Sequence, residues 1–310
     1  MQDFFESELA RTIPNEFITE FPGGIQLWIK REDLLHEEVC GNKFRKLKYN
    51  IAKARELKHK KLLTFGGAFS NHISATAAAG KLFGFETVGV IRGDELADLS
   101  KDKLSPTLRY ANACGMKFHF VSREAYREKE DPEFIQELKG QFGDFYLVPE
   151  GGTNEFAIKG CEEILTDKDS DFNFICSSVG TGGTLAGLIN SSRPDQKVLG
   201  FSALKSDYLI AEVSLLVNRK NWEMILNYHF GGYAKVNREL IDFMNDFSEK
   251  YKIILDPVYT GKLVFGIFDL VKQGYFPDNS KILAIHTGGL QGIEGMNRLL
   301  KKKGLPQIAR

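Results

Sequence analysis

Five short stretches carry residue types that could do chemistry. Lys43 stands in "GNK", ahead of a basic run that reads as a helix over 45–58. "SSVGTGGTLAGL" at 177–188 follows an apolar strand and opens a small-residue helix. The consecutive backbone N–H groups of such a turn can surround an anion at the helix N-terminus. Gly180, Gly182 and Gly183 permit close approach there, and Thr181 and Thr184 add hydroxyl donors. A second turn, "GGAFSNH" at 66–72, brings Ser70, Asn71 and His72 to a helix start, where open N–H groups could hold a carboxylate. "DPVYTGK" at 256–262 and "HTGG" at 286–289 add Tyr259, Thr260 and Thr287. Taken singly, each stretch is also readable as plain structure: a capped helix, a packed tyrosine, a satisfied core histidine at His286.

More familiar chemistries do not fit. A dinucleotide turn of the G-x-G-x-x-G type needs glycine at 185, where Leu185 stands, and an acid near 202, where Ser202 stands. Gly261-Lys262 is followed by Leu263, so the P-loop pattern is absent, as are H-E-x-x-H and G-x-S-x-G. The cysteines, Cys40, Cys114, Cys161 and Cys176, lie far apart with no C-x-x-C pair. That spacing speaks against a metal site or disulfide framework and for a reducing, cytoplasmic setting. An isolated lysine, an anion cradle and strand-end turns bearing Ser, Asn, Tyr and Thr suit a cofactor that carries a phosphate and an aldehyde.

The elements that must position these residues are those of an α/β protein. Lys plus Arg equals Asp plus Glu at 41 each among 310 residues, so no net field favours nucleic acid or an anionic membrane as partner. The N-terminal "MQDFFESELARTIP" lacks a signal-like apolar core, and no apolar run approaches membrane-span length. Strand-like runs, some with the turn that follows, at 25–32, 61–67, 87–93, 117–122, 146–152, 172–184, 198–203 and 281–289 alternate with helix-like runs at 45–58, 71–83, 103–114, 155–166 and 184–192. The alternation predicts βαβ units, and so many strands fit two parallel sheets better than one. Segment 204–252 reads as helices around the aromatic turn "NYHFGGYAK".

"KREDL", "GNKFRKL", "SNH", "EGGTN", "GTGGTLAGL", "DPVYTGK" and "HTGG" follow one another between residues 30 and 289. In that order they resemble the fold type II pyridoxal-phosphate enzymes, and within them the D-cysteine desulfhydrase and 1-aminocyclopropane-1-carboxylate deaminase group. The resemblance implies a tryptophan synthase β-like fold of two three-layer α/β domains with mainly parallel sheets. A small domain, 46–152, would be inserted into a large one, 1–45 and 153–310, with pyridoxal 5'-phosphate in the cleft and a homodimer as the assembly.

Residue by residue, Lys43 would be the Schiff-base lysine. Lys46 would contact the phosphate beside the cradle of Gly180, Thr181, Gly182, Gly183 and Thr184. Asn71 would bond the cofactor's phenolic oxygen. Ser70, Asn71 and His72 would take the substrate carboxylate, with Ser70 close to the reacting carbon. Tyr233 and Tyr259 would be the two active-site tyrosines, Tyr259 packing on the ring. Thr287, with Thr260 as second candidate, would face the pyridine nitrogen.

The implied activity is α,β-elimination from a small amino acid, D-cysteine giving pyruvate, ammonia and sulfide. The alternatives are ring opening of 1-aminocyclopropane-1-carboxylate to 2-oxobutyrate and ammonia, or binding without turnover. His72 and Thr260 match the desulfhydrase branch, whereas the deaminase branch usually carries glutamine and glutamate there. Phe44 and Phe69 replace a usual threonine and glutamine, and are expected to remove polar groups from the pocket and crowd it.

Overall fold

The structure, a computed structural model, describes residues 2–205 and 207–309. Two helical turns, α1 (Gln2–Phe5) and α2 (Glu8–Arg11), precede an antiparallel pair, β1 (Asn15–Phe21) and β2 (Ile25–Lys30). The chain then crosses through α3 (Asn42–Glu56) into β3 (Lys61–Gly67), α4 (Asn71–Phe83), β4 (Glu86–Arg92), α5 (Pro106–Ala113), β5 (Lys117–Val121), α6 (Pro132–Phe142) and β6 (Tyr146–Val148). It returns through α7 (Glu155–Glu162) to β7 (Phe174–Val179), α8 (Gly183–Ser191), β8 (Lys197–Ser202), α9 (Tyr208–Leu216), β9 (Trp222–Ile225), α10 (Arg238–Tyr251), α11 (Thr260–Lys272), β10 (Lys281–Ile285) and α12 (Gly292–Lys302).

Two sheets result. The larger has six strands in the order β1-β2-β10-β7-β8-β9, parallel except at β1/β2, and the smaller has four parallel strands in the order β5-β4-β3-β6. The central strands are apolar runs because helices cover both faces. On the large sheet, Leu27, Ile29 and Ile282 pack under α10 and α11, while Ile175, Val198 and Leu283 pack under α8 and α9. On the small sheet, Leu63, Phe65 and Val90 face α6, and the alanines of α4 lie against the opposite face. Each sheet is thus the middle of three layers.

The crossings are α3 and the segment that leads into α7, and they run side by side. Asn50 of α3 is fully buried and ties them together: its Nδ2 donates to the Lys46 carbonyl at 2.8 Å, and its Oδ1 accepts from Asn154 Nδ2 at 2.7 Å and from the Tyr146 hydroxyl at 3.1 Å. The domain boundary expected between residues 45 and 46 falls inside α3.

In both sheets the strand order reverses at one point. There β7 and β10 lie adjacent in the large sheet, and β3 and β6 in the small one. Ligands of open α/β sheets bind beyond the carboxyl ends of strands at such points. The turns after these four strands are 180–183, 286–291, 68–70 and 149–154.

Candidate active site

A cavity of about 430 Å³ opens between those turns, within the ordinary range of small-molecule sites. Lys43, Lys46, Ser70, Asn71, His72, Gly180, Thr181, Gly182, Thr184, Tyr233, Tyr259 and Thr287 all line it. Gly183 lies just behind, at the first position of α8.

Lys43 does not precede the helix as the periodicity predicts; it sits in the first turn of α3. Gly41 makes this possible. Its φ of 61° turns the chain into the helix, and a side chain there would strike the Thr287 carbonyl. The Asn42 amide donates to that same carbonyl at 3.3 Å, pinning the helix start to the end of β10. Asn42 Nδ2 also donates to Thr184 Oγ1 at 2.8 Å, and its Oδ1 accepts from Lys43 Nζ at 3.2 Å. Burial, and after it the neighbouring Lys46 cation, lower the Lys43 amine from 10.5 to about 7. A large share of this amine is therefore neutral, and so nucleophilic, at neutral pH.

One helical turn further on, Lys46 is buried and donates to the Gly151 carbonyl at 2.9 Å and to Thr153 Oγ1 at 3.1 Å. A side chain at Gly183 would come within 3.2 Å of Lys46 Nζ, which places the cation against the N-terminus of α8. A cation and the open amides of a helix start together make an anion site.

Ser70 caps α4, its Oγ accepting from the Ile73 amide at 3.3 Å. His72 is buried, its Nε2 2.8 Å from Thr64 Oγ1, while that hydroxyl donates to the Val148 carbonyl at 2.8 Å. The single hydroxyl proton is thereby used, so His72 donates from Nε2 and keeps Nδ1 as a lone-pair acceptor. Nδ1 is buried without a partner among the described residues. Burial and the Lys43 and Lys46 cations hold His72 far below its ordinary pKa, hence neutral.

Tyr259 caps α11 with its ring 3.2 Å from where a side chain of Gly180 would be, so the bare glycine admits the ring. Tyr233 crosses it edge to face at 6.3 Å. Burial raises both phenols, so they remain protonated donors.

Three expectations are corrected. The His72 side chain cannot take a carboxylate, because its Nε2–H is engaged by Thr64 and its Nδ1 presents only a lone pair. Thr260 does not face the cavity: its Oγ1 donates to Asp256 Oδ1 at 2.8 Å and accepts from the Asp256 amide at 2.9 Å, closing the turn that starts α11. Phe44 does not crowd the pocket. It is 1% exposed and packs on Phe5 at 5.0 Å and Phe4 at 5.4 Å, on the side of α3 away from the cavity. Phe69 does line the cavity, at its rim. The residue reading missed Asn42, Arg92, Glu150 and Tyr208 among the lining residues. Arg92 was findable, because it ends β4 on the carboxyl side of the sheet, where ligands gather.

A poised amine, a buried cation at a helix start and protonated phenols beside an uncharged imidazole fit an aldehyde-bearing phosphate ester. Residues 17–288 match the family described as pyridoxal-phosphate dependent enzyme. A Pyrococcus horikoshii protein named, provisionally, as a 1-aminocyclopropane-1-carboxylate deaminase is 31% identical over 288 residues, covering 87% of this chain and 86% of that one. The mitochondrial bifunctional D-cysteine desulfhydrase/1-aminocyclopropane-1-carboxylate deaminase of Arabidopsis thaliana is 32% identical over 297 residues, covering 88% and 74%. The crystal structure of an ACC deaminase homologue is similar with a TM-score of 0.78 at 28% identity over 93% of each chain. This chain therefore belongs to the pyridoxal-phosphate-dependent enzymes.

Proposed function

We propose that the cavity catalyses α,β-elimination from a small amino acid, with D-cysteine and water giving pyruvate, ammonia and sulfide. The observation that carries this reading is the Lys43 amine, brought down to about 7 and set one helical turn from a buried anion site. Pyridoxal phosphate, when bound, supplies an aldehyde for a primary amine and an electron-withdrawing ring that acidifies the α-hydrogen of an attached amino acid.

The chain's own groups do the rest. Lys46 and the first amides of α8 would hold the cofactor's phosphate and Lys43 Nζ its aldehyde, and Lys43 as a free amine is the group that would take the α-proton of a bound substrate. Ser70, Asn71 and the start of α4 receive the substrate carboxylate, with the Arg92 guanidinium on the same side of the cavity. His72 can serve there through its backbone amide alone, because its neutral ring has no free donor. Tyr259 covers the ring face, and Tyr233 closes the substrate end as a proton donor. With Thr260 engaged by Asp256, Thr287 is left as the hydroxyl for the pyridine nitrogen.

A second reading, ring opening of 1-aminocyclopropane-1-carboxylate to 2-oxobutyrate and ammonia, is the activity in the name of the Pyrococcus horikoshii relative and one of the two in the name of the Arabidopsis thaliana relative. Products decide between them. Purified cofactor-loaded protein is given D-cysteine, L-cysteine and 1-aminocyclopropane-1-carboxylate in parallel, and sulfide, pyruvate and 2-oxobutyrate are measured. Sulfide with pyruvate from D-cysteine alone supports elimination, and 2-oxobutyrate supports ring opening. Lys43→Ala should abolish both products. Failure of every small amino acid tested to exchange its α-hydrogen with solvent deuterium would sink the elimination reading, and since 1-aminocyclopropane-1-carboxylate has no α-hydrogen, it is the absence of 2-oxobutyrate that would sink ring opening.

A further inference from the structure

Lys262, in the third position of α11, is among the largest fully buried side chains of the protein. No carboxylate lies within ion-pair distance of it among the described residues; its Nζ donates instead to two backbone carbonyls, His229 at 2.9 Å and Gly232 at 2.8 Å. Burying an ammonium with carbonyl partners alone is costly, so its effect on what it touches is the natural place to look for a role.

What it touches is a strained turn. Phe230, Gly231, Gly232 and Ala234 all have positive φ, at 52°, 97°, 117° and 53°, and two of the four carry a side chain. A backbone of this kind persists only when its surroundings over-determine it. Inside the turn, the Gly232 and Lys235 amides donate to the His229 and Gly232 carbonyls at 3.0 and 3.1 Å and the Gly231 amide donates to His229 Nδ1 at 2.9 Å. Two anchors tie it to α11: the Phe230 ring packs edge to face on Phe265 at 5.0 Å, and Lys262 bonds the same two carbonyls. The residue enclosed by this turn is Tyr233, whose ring enters the cavity beside Tyr259. Helix α11 thus carries one tyrosine at its own start and grips the turn that presents the other.

We propose that Lys262 is a positioning residue: as an ammonium bonded to the His229 and Gly232 carbonyls, it holds Tyr233 over the cavity. Burial lowers its pKa to about 8 while Asp256 opposes the fall, which leaves it charged at neutral pH. The Phe230 contact does not depend on the ammonium, so replacing Lys262 loosens the turn without removing its docking site. The catalytic half of the inference rests on Tyr233 acting on substrate, as proposed above.

Lys262→Met keeps the stem and deletes the donors, and two measurements separate the halves. In cofactor-free protein, amide hydrogen exchange over 229–234 should speed up by about 10-fold or more, with β7 and β10 unaffected. Unchanged exchange in that turn overturns the proposal. In cofactor-loaded protein, Lys262→Met should lower kcat while the cofactor absorbance stays as in wild type. Added to Tyr233→Phe, it should cost less than about 2-fold more, because both changes remove the same contribution. A full additional loss in that background overturns action through Tyr233. Faster exchange with an undiminished Tyr233→Phe enzyme keeps the clamp and removes Tyr233 from the catalytic reading. Lys262→Gln, whose amide can donate to one carbonyl, should fall between wild type and Lys262→Met, and it carries the same comparison if Lys262→Met does not fold.

Discussion

Lys43 is one of several buried groups whose titration is set first by burial, in its case followed by the cation one helical turn away. Uptake of pyridoxal phosphate by the cofactor-free protein requires its neutral amine. The uptake rate should rise with pH to a midpoint near 7 and then level, instead of climbing toward 10.5. Lys46→Met removes a cation that depresses this amine, so the midpoint should move to higher pH; an unmoved midpoint would remove Lys46 as a cause. The same shift has a stability consequence. Between about 7 and 10.5 the unfolded chain binds a proton that the folded chain does not, so stability of the cofactor-free protein rises with pH across that window. Two residues mark where reading by type fails at this scale. Lys43 and Phe44 are neighbours on one helix, yet only one faces the cavity, and the aromatic cluster that claims Phe44 comes from Phe4 and Phe5, far away in sequence. Thr260 was misassigned because its partner, Asp256, makes a turn closure that no spacing pattern announces.

Among the elements, α3 and α7 pack unusually close because of one missing side chain. A β-carbon at Gly160 would strike the carbonyl of Arg45, immediately before Lys46. Gly160→Ala should therefore destabilise the protein by about 1–3 kcal/mol, read as a lower thermal midpoint, and should speed cofactor loss by displacing Lys46. A variant with unchanged midpoint and cofactor retention would show that the two helices can separate freely there. The central strands were legible from sequence since both their faces are buried and their apolar runs are continuous. The two edge strands of the large sheet were not. Only Ile18 is buried in β1 and only Ile225 in β9, so neither carries the apolar run that marks a covered strand. Helices α6, α11 and α12 also went unassigned, although α11 starts inside the "VYTGK" stretch that was read for chemistry.

For the whole molecule, the expectation of two mainly parallel sheets held because strand and helix patterns alternate along nearly the entire chain. Their orders, and hence the facing switch points that create the cavity, come from tertiary pairing such as β10 inserting between β2 and β7. The same topology sets the mechanics. Lys46 and Asn50 fasten the two crossings to each other beside the start of α8, through Gly151, Thr153 and Asn154. Phe69 from the turn after β3 and Arg92 of β4, with Tyr208 and Tyr233 of the large unit, line the cavity away from these bonds. Rocking of one sheet against the other about the fastened crossings would widen the cavity together with the contact of α5 on α12, where Arg109 lies 3.5 Å from Glu294 and the Phe69 ring packs on Gly295. Spin labels at Asp98 and Glu212 should change separation when substrate is added, while a pair at Glu56 and Lys159 should not; equal changes in both pairs would refute the pivot. Such a hinge lets the enzyme exchange substrate for product many times while its cofactor stays at the point that moves least.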